Sequence, residues 1–169
     1  ASSASRNLTV VGNTLFFQAN DGPNGRELWK SDGTEAGTVL VKDISPGSRY
    51  GFPLGSSPNN LTVVGNSLFF TADDGTNGTE LWKSDGTEAG TVLVQDIFSG
   101  SRYGRPASSD PGYLTVVGNS LFFTANDGTN GFELWALDTT STPANAAPTA
   151  VTLTNSTTSL AENTSTTSR

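Results

Sequence analysis

The sequence predicts an all-β protein made of β-propeller-type blades, each a four-stranded antiparallel meander within a 53-residue repeat. The segment Leu-Thr-Val-Val-Gly-Asn occurs three times, beginning at Leu8, Leu61 and Leu114. The chain has 19 Gly and 8 Pro among its 169 residues, and such a composition favours many short strands joined by turns. The apolar runs do not alternate with polar residues, which is typical of strands buried on both faces. A period near fifty residues indicates stacked units that bury their apolar side chains against one another.

The elements follow the same order in each unit. In the first unit, a Leu-Thr-Val-Val strand, a Gly-Asn turn and a Leu-Phe-Phe strand occupy 8–17. An Asp-Gly-x-Asn-Gly turn at 21–25 leads to a Glu-Leu-Trp strand at 27–29. The turn at 32–33 is Asp-Gly, and the apolar run 38–41 forms the fourth strand. Gly-Asn and Asp-Gly are expected between antiparallel strands because these residues tolerate a positive φ.

The repeats also set the predicted boundaries. An N-terminal extension covers 1–6, the first blade 7–59, the second blade 60–112, a partial third blade 113–138, and a Thr/Ser-rich tail 139–169. The third unit lacks the fourth apolar run, so its fourth strand must come from the tail, come from another chain, or be missing. Propeller rings usually contain about four to eight blades. We therefore expect an incomplete ring that other chains could complete; a linear stack of small sheets is the alternative.

The segment Glu27-Leu28-Trp29-Lys30-Ser31-Asp32-Gly33-Thr34, which recurs at 80–87, resembles the bacterial ELWxxDGT repeat family. The resemblance covers about 7–138. It implies propeller-like blades in a large secreted or cell-surface protein, and it implies no enzymatic activity. The tail from Ala147 to Asn163 is similar to the opening of a cadherin-like domain that breaks off before it could fold.

Composition argues against several classes of function. The formal net charge is -7 and no basic stripe is present, so nucleic acid would be repelled. The longest apolar runs have about four residues, whereas a membrane-spanning helix needs about 20. The chain has no His and no Cys, which removes the usual general base and the thiol nucleophile. Because each candidate catalytic acid recurs at equivalent positions, no unit holds a unique catalytic pair, and we expect no enzymatic activity.

The turns that precede each Glu-Leu-Trp strand concentrate carboxylate and amide oxygens on a glycine-rich loop. Ca²⁺ prefers six to eight such oxygen ligands, although the spacing differs from that of an EF-hand loop. The alternative is that Asp and Asn serve only as turn formers that bond the local backbone. We expect that no cofactor is required and name Ca²⁺ as the candidate ion. The candidate ligands are Asp21, Asn24, Glu27, Asp74, Asn77, Glu80, Asp127, Asn130 and Glu133.

The Gly/Pro-rich connectors carry Arg-Tyr pairs that could bind a glycan or an acidic group through a flat face and a fork of donors. Alternatively, these pairs support the connector or contact a neighbouring blade or chain. Other recurring residues have structural roles in the prediction, and the indole N–H of each packing Trp is expected to find a local hydrogen-bond acceptor. The candidate ligand-binding residues are Arg49, Tyr50, Arg102 and Tyr103; the turn residues are Asp32, Gly33, Asp85 and Gly86; and the packing residues are Phe17, Trp29, Phe70, Trp82, Phe123 and Trp135.

The sequence therefore predicts a non-catalytic structural or adhesive repeat module, secreted and located at the cell surface or in the extracellular matrix. Exposed sheet edges favour pairing with further copies, so we expect an oligomer or a filament. The alternative function is that of a multivalent glycan-binding lectin.

Overall fold

The computed structural model describes residues 5–140 and the backbone of 153–155. Every regular element in this part of the chain is a β-strand, which confirms the predicted all-β class. The strands form three four-stranded antiparallel sheets and two short two-stranded hairpins. No closed barrel or closed propeller ring is found among the described residues. Nor do these residues include a helix that is long and apolar enough to cross a membrane.

The first and second sheets are meanders in which each strand pairs with the next along the chain. The Gly-Asn turns join the first two strands of each sheet, and Gly12 has a φ of 58° that suits such a turn. The strands of the first sheet are β1 (Arg6–Val11), β2 (Thr14–Asn20), β3 (Arg26–Ser31) and β4 (Val39–Lys42). Those of the second sheet are β7 (Asn59–Val64), β8 (Ser67–Asp73), β9 (Thr79–Ser84) and β10 (Val92–Gln95).

The connector after each of these sheets forms a hairpin that the sequence analysis did not anticipate. The first hairpin consists of β5 (Ser48–Arg49) and β6 (Phe52–Pro53). The second consists of β11 (Ser101–Arg102) and β12 (Arg105–Pro106). Each hairpin turns at a Tyr-Gly dipeptide with positive φ at both residues.

The third sheet has four strands because the tail supplies the last one. Its strands are β13 (Gly112–Val117), β14 (Ser120–Asn126), β15 (Phe132–Asp138) and β16 (Leu153–Asn155). The backbone of β16 runs antiparallel to β15, with Asn155 opposite Trp135 and Leu153 opposite Leu137. Of the three possibilities for this strand, the structure shows the one in which the tail of the same chain supplies it.

The first strand of every sheet carries a bulge at the same position of the repeat. Asn7, Asn60 and Tyr113 have φ values of 56°, 53° and 54°, and the pairing register shifts around each of them. A left-handed residue in a bulge bends its strand and increases the local twist. These first strands lie beside one another, with β7 in contact with both β1 and β13.

The apolar core lies between the sheets. We call the side of a sheet that carries its Trp the tryptophan face, and the opposite side the reverse face. In the first core, the reverse face of the first sheet packs on the tryptophan face of the second. The first sheet contributes Phe16, Leu28, Val41 and Ile44, and the second contributes Leu68, Phe70, Ala72 and Trp82.

The second core repeats this arrangement one sheet further along. The reverse face of the second sheet contributes Val64, Phe69 and Leu81, and the tryptophan face of the third sheet contributes Leu121, Phe123, Ala125, Trp135 and Leu137. The second sheet is therefore buried on both faces, which explains why its apolar residues do not alternate with polar ones.

Candidate functional site

The Arg-Tyr pairs predicted to bind ligand lie at the two connector hairpins. The Tyr50 and Tyr103 side chains are 86% and 93% exposed. The Arg49 Cζ atom lies 5.2 Å from the centroid of the Tyr50 ring, and Arg102 lies 5.6 Å from that of Tyr103. Both distances fit a cation–π contact. Each hairpin thus presents a charged guanidinium together with an aromatic ring to solvent.

The acidic turns before the Glu-Leu-Trp strands form closed local hydrogen-bond networks. The Asp21 Oδ1 atom accepts from the Asn24 backbone N–H at 2.9 Å, and Oδ2 accepts from Asn24 Nδ2 at 2.6 Å. Asp74 and Asn77 form the same pair of bonds, as do Asp127 and Asn130. The backbone N–H groups of Asn130 and Thr129 lower the pKa of Asp127. These contacts are those of turn-forming Asp side chains.

Glu27 and Glu80, which were predicted together with these turns, are instead buried, and each accepts hydrogen bonds from a serine. We call the contacts Glu27–Ser56 and Glu80–Ser109 clasps. Glu27 is fully buried and accepts from the backbone N–H of Ser56 at 2.8 Å and from the Ser56 hydroxyl. The backbone N–H groups of Ile44 and Ser45 also point at its carboxylate, at 3.3 and 3.4 Å. Because Ser56 lies just before β7, this clasp ties the first sheet to the start of the second.

The same clasp recurs at Glu80, which is also fully buried. Its carboxylate accepts from the backbone N–H of Ser109 at 2.7 Å, from the Ser109 hydroxyl, and from the backbone N–H of Ile97 at 3.2 Å. Burial raises the pKa of Glu80 to about 7, while the bonds from Ser109 and Ile97 act in the opposite direction and repulsion by Asp96 adds to the rise. Burial likewise raises the pKa of Glu27.

The serine half of each clasp was not predicted from the sequence. A signal was present, because Ser56 follows Glu27 and Ser109 follows Glu80 at the same interval. The two serines stand in connectors that also share the Ser-Arg-Tyr-Gly segment and a proline two residues after the serine, but only the folded sheets show that each serine faces a glutamate. Glu133, the third member of this set, is half-buried.

Two further carboxylates lie near these groups. Burial raises the pKa of Asp43, and repulsion by Asp21 adds to this rise. Burial likewise raises the pKa of Asp96, and repulsion by Asp74 adds to this rise. Within residues 5–140, no group of three or more Asp, Glu, His or Cys is arranged to hold a metal ion. The Ca²⁺ site stays a prediction from the sequence, and a thermal-shift titration with Ca²⁺ and with chelator tests it.

The Ser-Asp-Gly-Thr turns at 31–34 and 84–87 have the same internal bonds. Asp32 Oδ1 accepts from the Thr34 N–H at 2.9 Å and from its hydroxyl at 2.7 Å, and these bonds lower the pKa of Asp32. Asp85 makes equivalent bonds to Thr87. Burial opposes the effect at Asp85, yet the bonds from Thr87 hold its pKa below the ordinary value. Both Asp side chains stabilise their turn through hydrogen bonds within it.

The aromatic residues assigned to packing lie on the tryptophan faces. Phe70, Phe123, Trp82 and Trp135 are buried in the two cores, whereas Phe17 and the half-buried Trp29 lie on the tryptophan face of the first sheet. We expected each indole N–H to be satisfied locally. This holds for Trp135, which donates to the Ala125 carbonyl at 3.1 Å. It is wrong for Trp29 and Trp82, whose buried Nε1 atoms have no acceptor among the described residues.

No family model, no curated protein and no solved structure matches this chain. Any function assigned to it therefore depends on its own residues and their geometry.

Proposed function

We propose that this chain is a non-catalytic structural repeat module that associates with further copies of itself, as an adhesive or scaffold element outside the cell. The observation that carries this proposal is the burial of the second sheet on both faces by its two neighbours. The outer sheets each have one such neighbour among the described residues. A further copy would give them the same two-sided burial.

The repeated stack supports β-propeller-type blades as the finer description of the fold. Three four-stranded meanders pack face to face, and their first strands lie side by side, as the inner strands of propeller blades do. Membership in the ELWxxDGT repeat family, and with it secretion, forms part of this proposal. Its support is the motif and the four-strand order of each unit.

The absence of catalysis is also a proposal, and burial of the acidic residues supports it. Glu80 has a pKa of about 7, which would suit proton transfer near neutral pH. It is fully buried and held by Ser109, so a polymeric substrate cannot reach it. A screen on polysaccharide and peptide substrates should give no turnover, and turnover that E80Q abolishes would contradict the proposal.

The second candidate is a multivalent lectin, and the observation that favours it is the exposure of both Arg-Tyr pairs. Arginine and tyrosine side chains that are already stacked would lose little freedom on binding an acidic sugar. The two hairpins occupy equivalent positions in successive repeats, so a repeating glycan could engage both of them.

A glycan array combined with a mass measurement separates the two functions. The scaffold proposal predicts particles larger than one chain and no specific glycan signal. A small particle with a glycan signal that the R49A/R102A double variant removes would favour the lectin. R105A is the matched control, because it removes a guanidinium from the same hairpin as Arg102 and leaves both Arg-Tyr pairs in place.

A further inference from the structure

Both internal interfaces of the stack join the same two kinds of face. In each, the reverse face of one sheet packs on the tryptophan face of the next. Polar contacts accompany the first interface, where Lys30 Nζ donates to the Gly86 carbonyl and Lys42 Nζ to the Thr91 carbonyl, both at 2.8 Å. One type of joint, used twice, therefore holds the three sheets together.

The tryptophan face of the first sheet is less covered than the tryptophan faces of the second and third sheets. Thr38 is exposed, whereas Thr91, its equivalent in the second sheet, is 0% exposed. A Cβ atom at Gly86 would lie 3.1 Å from Phe16 of the first sheet, while one at Gly33 would meet nothing within 4 Å. The turn that seats against a neighbouring sheet in the second repeat is thus free in the first.

The third sheet leaves its reverse face open. Leu134 is 48% exposed, whereas Leu28 and Leu81 at the same position are 0% exposed. Val117 is 62% exposed, and its equivalent Val64 is 3% exposed. These two residues help line a shallow apolar depression together with Tyr113, Thr115 and Phe122.

The open reverse face is more apolar than its covered equivalents. Tyr113 replaces Asn7 and Asn60, Phe132 replaces Arg26 and Thr79, and Ala136 replaces Lys30 and Lys83. Terminal repeats that face water normally present a polar outer surface. The third sheet instead exposes apolar side chains on this face, with Tyr113 85% and Phe132 61% exposed. This surface therefore fits an apolar partner.

We infer that the reverse face of the third sheet binds the tryptophan face of the first sheet in a second copy of this chain. This inference rests on the self-association proposed above and names the surfaces that carry it. The partly uncovered tryptophan face of the first sheet and the open reverse face of the third sheet are the two halves of the joint that the chain already uses twice. Such a contact is heterologous, so successive copies close into a ring or extend as a filament.

The repeat also fixes the register of this joint. In the first internal interface, Asn7 Nδ2 donates to Asn59 Oδ1 at 3.1 Å. Tyr113 lies two repeats after Asn7, and Arg6 lies one repeat before Asn59. The same contact at the proposed joint therefore places Tyr113 of one copy opposite Arg6 of the second copy. An arginine opposite an exposed tyrosine ring makes a favourable cation–π pair.

Crosslinking of single-cysteine variants tests the register, since the chain has no Cys of its own. R6C and Y113C variants, one of them carrying a size tag, are mixed and treated with a short bis-maleimide. Head-to-tail pairing predicts that the mixed R6C–Y113C product forms at least ~10-fold faster than either homodimer product. Equal rates, or a dominant homodimer product, would overturn the inference.

Two variants with one blocked face each provide the complementary test. L15R places a charge on the tryptophan face and L134R places one on the reverse face, and F52R on an exposed hairpin is the control. Each blocked variant alone should be monomeric, and their mixture should give a one-to-one heterodimer, since each retains the face that the other lacks. If the wild type associates but the mixture stays monomeric, the inference fails; if the wild type is itself monomeric, the proposed function fails.

Discussion

At the scale of single residues, two buried glutamates help to hold neighbouring sheets together. The Glu27 and Glu80 side chains each project from a strand of one sheet and accept hydrogen bonds from a serine that precedes the next sheet. A buried carboxylate is stable only when donors surround it, and removing it leaves those donors unsatisfied at about 1–3 kcal/mol each. Each clasp therefore links the position of a strand to that of the following repeat.

The first prediction concerns the loss of a clasp. E80A should lower the free energy of unfolding by about 2–4 kcal/mol, because the Ser109 and Ile97 N–H groups lose their acceptor. E133A is the matched control in the third repeat, where the glutamate is half-buried, and it should change stability by less than about 1 kcal/mol. Urea denaturation at low protein concentration measures both values. Equal effects of the two variants would contradict the clasp.

The second prediction concerns pH. Burial raises the pKa of Glu80 to about 7 from an ordinary value of 4.5, so the folded chain holds this proton more tightly than the unfolded chain. The resulting stabilisation is fully present below pH 4.5 and is lost as the pH rises through about 7. Glu27, Asp43 and Asp96 shift in the same direction. The Tm should therefore fall between about pH 5 and pH 8.

The E80Q variant is the control for this pH dependence, because its side chain carries no titrating proton. Its Tm should fall less than that of the wild type over the same range. The carboxylates with lowered pKa, such as Asp32 and Asp127, act at lower pH and with the opposite sign. A wild-type Tm that stays constant or rises between pH 5 and pH 8 would exclude the assigned role of Glu80.

At the scale of the elements, the second sheet depends most on its neighbours. Its Leu68 and Phe70 side chains point towards the first sheet, and its Phe69 and Leu81 side chains point towards the third. Consecutive residues of β8 thus contribute to opposite cores. A sheet of this kind has no solvent-facing side, and its stability includes both interfaces.

The third prediction compares one repeat position in two sheets. L81A removes a fully buried side chain and should cost about 2–5 kcal/mol of unfolding free energy. L134A removes the same side chain from a site that is 48% exposed and should cost about 1 kcal/mol or less in the isolated chain. Denaturation of both variants at low protein concentration tests this difference. Similar values would mean that the open face is already covered within one chain.

Local signals in the sequence were sufficient for the strands and turns of the three sheets. Gly12 and Asp32-Gly33 are turn residues whose backbone preferences act without tertiary contacts, and the strands between them formed as expected. The connector hairpins were not predicted because each of their strands has only two residues and carries no apolar pattern, although they pair residues close together in the chain. The Glu27–Ser56 clasp was not predicted because it depends on a contact between residues far apart in the chain. The origin of β16 was left open for the same reason.

At the scale of the whole molecule, the described residues form a stack of three four-stranded sheets whose two outer faces differ. One end presents the tryptophan face of the first sheet, and the other presents the apolar reverse face of the third. Stacked repeats gain stability mainly from contacts between nearest neighbours, so an unpaired end keeps the tendency to bind another repeat. This asymmetry could not be predicted from the sequence, because the sequence does not show which face of each sheet is covered.

The mass of the chain in solution tests the central claim most directly. Sedimentation equilibrium of the wild type over a concentration series, near pH 7 and at physiological salt, should give twice the 17.5 kDa chain mass or more at high concentration. L134R should remain at the mass of one chain under the same conditions. A wild-type mass of 17.5 kDa at every concentration would contradict the claim that the open sheet faces bind further copies.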